Sequence, residues 1–92
     1  MANSIIQERK ECLVCKTTVG LHKHHIFLAA NRNRSEKYGL WVWLCQYHHL
    51  DSKDGVHFNK QFMEDLHILG QIAYENKYGG ESFLQEFGKN YL

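Results

Sequence analysis

Proline is absent from this 92-residue chain, and with it any Pro-rich linker that would divide the sequence into pieces. Long apolar runs are missing too: the longest, Leu40 to Cys45, falls far below the roughly 18 residues that a membrane span requires. The opening MANSIIQERK lacks the apolar stretch of a secretory signal, so the expected location is cytoplasmic. Cysteine is scarce and odd in number. Three thiols would leave one outside any closed disulfide framework, and nothing points to an oxidising compartment. Net charge is only +1, which by itself implies no partner.

What is present describes a globular domain. Hydrophobic residues at 43% and charged residues at 23% exclude a disordered chain. The length allows one domain, 1–92, which buries only roughly 60–65% of its unfolded surface and therefore needs a staple. Three Cys and seven His offer a metal. Charge is also uneven along the chain. Residues 1–50 carry seven cations against three acids and residues 51–92 carry four Lys against seven acids, so the front half is basic. Such a lobe suits a polyanion, although a basic face is often merely solvated.

Leu21–Phe27 reads as a short strand and Leu40–Leu44, rich in aromatic and branched residues, as the best strand, separated by a polar, basic loop from Ala29 to Gly39. After the turn Asp51–Gly55, apolar residues at Phe58, Phe62, Leu66, Leu69 and Ile72/Ala73 recur at steps of three or four. They predict a helix from about His57 to Lys77, kinked or divided at Gly70 and ended by Gly79-Gly80. A last helix, Glu81 to Phe87, would lay Phe83, Leu84 and Phe87 back on the domain.

Zinc takes four tetrahedral ligands, often two from each of two tight knuckles. Cys12-x-x-Cys15 makes one knuckle, and Cys45-x-x-His48 repeats the spacing at a strand end. A structural Cys3His zinc site is expected, with His48 preferred to His49 because it reproduces the gap. His24, His25, His49 and His57 then remain as spare imidazoles, more than structure requires, of a type suited to metal ligation and proton transfer. His67, on the long helix, reads as an ordinary solvated or satisfied side chain.

The segment from Cys12 to about Asn59, through the phrases HHIF, LCQYHH and GVHFN, resembles the HNH endonucleases, also called ββα-metal or His-Me finger nucleases, and particularly the small zinc-containing versions of phages and prophages. The resemblance implies an α+β fold: a zinc-stapled ββα-metal finger, with knuckles and core over 12–59 and a helical extension over 57–92. It makes His24 and His49 ligands of a catalytic metal and His25 the general base. His57, eight residues after His49, would complete the metal site if the Asp51–Gly55 loop folds it back. The family's base-orienting Asn has no match beside Leu40, and Asn31 is its nearest substitute. The implied activity is metal-assisted hydrolysis of DNA with weak sequence specificity, inside a bacterial host cell and beside phage packaging proteins. Mn2+, Ni2+, Co2+ or Zn2+ suits imidazoles better than Mg2+. Lys23, Arg32, Arg34 and Lys37 are placed to hold phosphates. The competing expectation is a catalytically silent zinc module that binds DNA or a protein.

Overall fold

The computed structural model describes residues 3–92. Its centre is an antiparallel hairpin of β1 (Leu21–His25) and β2 (Trp41–Cys45), in register Leu21 to Cys45, His22 to Leu44, Lys23 to Trp43, His24 to Val42 and His25 to Trp41. Alternation gives the hairpin two faces. Val42 and Leu44 are fully buried on one, across from His24 and His22, while Trp41 and Trp43 share the other with His25 and Lys23. The outer edge of β2 is covered by the N-terminal segment: the amide of Leu13 donates to the Trp43 carbonyl, the Trp43 amide to Gln7 Oε1, and Ser4 Oγ to the Trp41 carbonyl. An edge protected in this way is closed to another strand.

The connection expected as a loop is mostly helical. One 3-10 turn, Ala29–Asn31, leads into α1 (Arg32–Lys37). Buried Ser35 explains why a polar stretch docks here: its hydroxyl accepts from the Phe27 amide and donates to the Leu40 carbonyl, tying both ends of the connection together. Gly39 follows at φ 72°, where a Cβ would strike the carbonyl of Asn3, so this turn requires glycine.

Three helices follow: α2 (Gln46–Leu50), α3 (Lys60–Tyr78) and α4 (Glu81–Phe87). α3 starts later than the apolar periodicity predicts, because Asn59 caps it by accepting from the Phe62 amide. His57 and Phe58 consequently lie in the preceding turn. Nor does Gly70 divide the helix. A Cβ there would lie 3.0 Å from Ile26 and 3.1 Å from Phe27, so glycine lets α3 approach the end of the hairpin closely. The buried line of α3 is Leu66, Gly70, Gln71 and Tyr74, whereas Leu69 and Ile72, expected in the core, are exposed. Gln71 belongs inside because its amide is satisfied: Oε1 accepts from the Tyr91 amide, and Nε2 donates to Glu75 and Asn90.

Phe83 and Phe87 return to the core as expected, but Leu84 points outward. Phe27 is the hub of this layer, with Phe87, Tyr91 and Phe83 ring centroids at 4.7, 5.2 and 5.5 Å. His67 also stacks on Phe27, and burial lowers its pKa, so of the two expected states it is the packed, satisfied one. Among the described residues, no helix is long and apolar enough to cross a membrane.

Candidate metal centres

The first centre is built by two local turns. Cys12 and Cys15 sit on a tight turn closed by the Lys16 amide donating to the Cys12 carbonyl and the Cys12 amide to the Thr17 carbonyl, with Lys16 at φ 66°. Cys45 ends β2 as the N-cap of α2, and His48 follows within the first helical turn, so both side chains face the same way. The four ligand atoms all lie within 4.8 Å of one another. A tetrahedral zinc with bonds of about 2.3 Å to sulfur and 2.0–2.1 Å to nitrogen places ligand atoms about 3.5–3.8 Å apart. Two separations match, 3.8 Å between the Cys15 and Cys45 sulfurs and 3.6 Å from His48 Nδ1 to Cys12 Sγ, while His48 Nδ1 lies closer, at 3.2 Å, to Cys45 Sγ. Burial pushes the Cys12 thiol up, but backbone amides of Cys15, Cys45 and Val14 outweigh it and bring it down to about 6, favouring the thiolate that a metal needs. These residues can hold a metal of zinc's type, and His48, not His49, is the fourth member.

His49 belongs to a second group. One step along α2 turns it by about 100° from His48, toward β1. There the ligand atoms of His24, His49 and His57 again lie within 4.8 Å of one another. The turn after α2 folds His57 back. Asp51 Oδ2 accepts from the amides of Lys53 and Asp54, and buried Val56 donates its amide to the His48 carbonyl. His49 and His57 meet Nε2 to Nε2 at 3.0 Å, about the separation of adjacent ligands on a cation with bonds near 2.1 Å. Buried His24 Nε2 has no hydrogen-bond partner, a costly state that a cation would relieve. Burial, then the neighbouring His49 and His57, lowers His24 to about 3; burial, then His57 and His22, lowers His49 to about 4. Both rings are therefore neutral, as ligands must be. His22, absent from the expected set, joins this group with Nδ1 2.9 Å from His49 Nδ1. The period of a strand was the available signal, since His22 and His24 are two apart.

His25 faces the other way. Its Nε2 lies 2.9 Å from Glu36 Oε1 of α1, and the same carboxylate takes Lys23 Nζ at 3.2 Å. The His25 hydrogen bond is the main reason the Glu36 carboxyl is lowered. Asn31 is spent elsewhere: its amide donates to the Phe87 carbonyl and accepts from Arg34, so it fastens α4 to the start of α1 and contacts no imidazole. Of the expected phosphate holders, Lys23 is occupied by Glu36 and by the face of Trp41, 4.2 Å away. Arg34 pairs with Glu86, while Arg32 and Lys37 are exposed on α1.

No family model matches the chain, no curated protein matches its sequence and no solved structure matches its fold.

Proposed function

We propose that the chain is a metal-dependent endonuclease or nickase of HNH, ββα-metal type, hydrolysing DNA phosphodiesters with weak sequence specificity. The observation that carries this reading is the convergence of His24, His49 and His57 beside a separate Cys3His cluster, with buried His24 Nε2 unpartnered. Two clusters of different chemistry suit two tasks: thiolates for a staple, and neutral imidazoles for an exchangeable Mn2+, Ni2+, Co2+ or Zn2+. A cation held there supplies positive charge to the phosphate and the leaving 3′-oxygen. By the resemblance His25 is the base of the reaction, and because it stands on the strand face opposite the cation, the attacking water has to lie at the end of β1, within reach of both faces. With Nε2–H donating to Glu36, its Nδ1 lone pair accepts the proton of water, and the carboxylate stabilises the resulting imidazolium. Arg32 and Lys37 hold the DNA backbone.

The test is nicking of supercoiled plasmid by zinc-loaded protein with each divalent metal. Open circles suppressed by EDTA are expected; intact supercoiled and single-stranded DNA in every metal overturns the reading. The strand alternation that sends His25 to Glu36 and His24 to the imidazoles favours a second reading, a zinc-stapled module that binds DNA or protein without cutting. That reading requires DNA binding or partner binding to survive His24→Ala unchanged.

A further inference from the structure

His49 touches a different imidazole with each ring nitrogen: Nδ1 is 2.9 Å from His22 Nδ1, and Nε2 is 3.0 Å from His57 Nε2. A neutral imidazole carries one proton and one lone pair, so the first contact decides what the second can be. If His22 Nδ1 donates, the His49 proton sits on Nε2 and occupies the space shared with His57 and with the unpartnered Nε2 of His24. If His22 Nδ1 accepts, the proton sits on His49 Nδ1 and the Nε2 lone pair faces that space.

We propose that His22 is a positioning residue that holds the His49 proton on Nδ1, leaving His49 Nε2 as a ready ligand for a cation shared with His24 and His57. The inference rests on the metal reading of that cluster. His22 itself stays outside the cation's immediate ligands, because among the described residues this second group brings together the atoms of His24, His49 and His57 within 4.8 Å and does not include His22. It is half-buried on β1, and a neutral ring that accepts at Nδ1 carries its proton on Nε2. The two rings meet edge to face with centroids 5.1 Å apart, which sets the plane of His49 as well as its tautomer. Partners of this kind typically change metal affinity by roughly 10–100-fold when removed.

The experiment adds Ni2+ to the zinc-loaded chain and follows its absorbance, with 15N NMR of the imidazoles in parallel. His22→Ala should weaken the exchangeable site roughly 10–100-fold while the tight zinc remains at one per chain. His22→Asn should recover most of the loss, because its Oδ1 replaces Nδ1 as acceptor. In wild type His49 should be protonated at Nδ1, and in His22→Ala at either nitrogen. Unchanged Ni2+ affinity in His22→Ala, no recovery in His22→Asn, or a wild-type proton on His49 Nε2 overturns the proposal. A wild type that takes no Ni2+ overturns it together with the metal reading. Tight Ni2+ binding that falls roughly 10–100-fold in His22→Ala while DNA stays intact removes only the hydrolytic reading and supports the role of His22.

Discussion

His24 and His25 are neighbours in sequence and opposite in use: one ring packs among His49 and His57 at centroid distances of 5.3 and 5.1 Å, and the other puts Nε2 2.9 Å from Glu36. The strand carries them to its two faces, so one phosphate can meet both only at the end of β1, where His25 is the last strand residue. The two residues should therefore give separable mutant signatures.

His25→Ala should keep the fold, the tight zinc and the exchangeable metal while cutting hydrolysis by roughly 10²–10⁴-fold, the usual contribution of a positioned base. Glu36→Gln should lower the rate less and shift its pH profile. Single-turnover cleavage measures both, and a His25→Ala protein that cuts as well as wild type removes His25 from the mechanism.

Zinc removal tests the staple. Since metal binding is folding free energy in a chain with so small a core, Cys12→Ser or strong chelation should abolish the cooperative thermal transition and most of the native circular dichroism. An apo protein with the melting temperature of the zinc form is incompatible with a structural Cys12–Cys15–Cys45–His48 site.

DNA contact should run through the exposed cations of α1. Replacing Arg32 and Lys37 together by Gln should weaken binding about equally for all sequences and lower the slope of log K against log salt by roughly 1.8, two phosphates' worth. Arg34→Gln should act mainly on stability through Glu86. An unchanged slope in the Arg32/Lys37 double variant takes α1 out of the interface.

The acid side of the stability curve should carry the imprint of His24. Its folded value near 3 lies below its ordinary 6.5, chiefly through burial, so the unfolded chain binds the proton more readily. The stability this contributes is complete above about pH 6.5 and is lost as pH falls toward about 3. Melting temperature measured from pH 8 to 4 should begin to decline below 6.5, and less steeply in His24→Leu. A flat wild-type profile to pH 4 contradicts the burial of a neutral His24.

Gly70→Val should destabilise by about 1–3 kcal/mol, because side-chain atoms added there overpack against Ile26 and Phe27. Denaturant unfolding measures it, and a neutral effect would mean that α3 does not press on the hairpin at this point.

Local spacing by itself determined the two halves of the first metal centre. Cys12-x-x-Cys15 and Cys45-x-x-His48 each close within one turn, and the backbone bond from Leu13 to Trp43 then brings the two halves together. The hairpin, the long helix and its stop at Gly79-Gly80 were likewise legible, because β-branched runs, apolar periodicity and glycine act over a few residues. Contacts between distant segments left no such mark. Ser35 makes a helix of an apparent loop by bonding to Phe27 and Leu40; Gly70 and Gln71 occupy the core although neither is apolar in the pattern. Glu36 meets His25 only because α1 packs beside β1, and Asn31 is drawn away by the end of α4. Tertiary structure decided these, since a buried polar group takes the partner that folding brings within hydrogen-bond reach, and sequence distance carries no record of which partner that is.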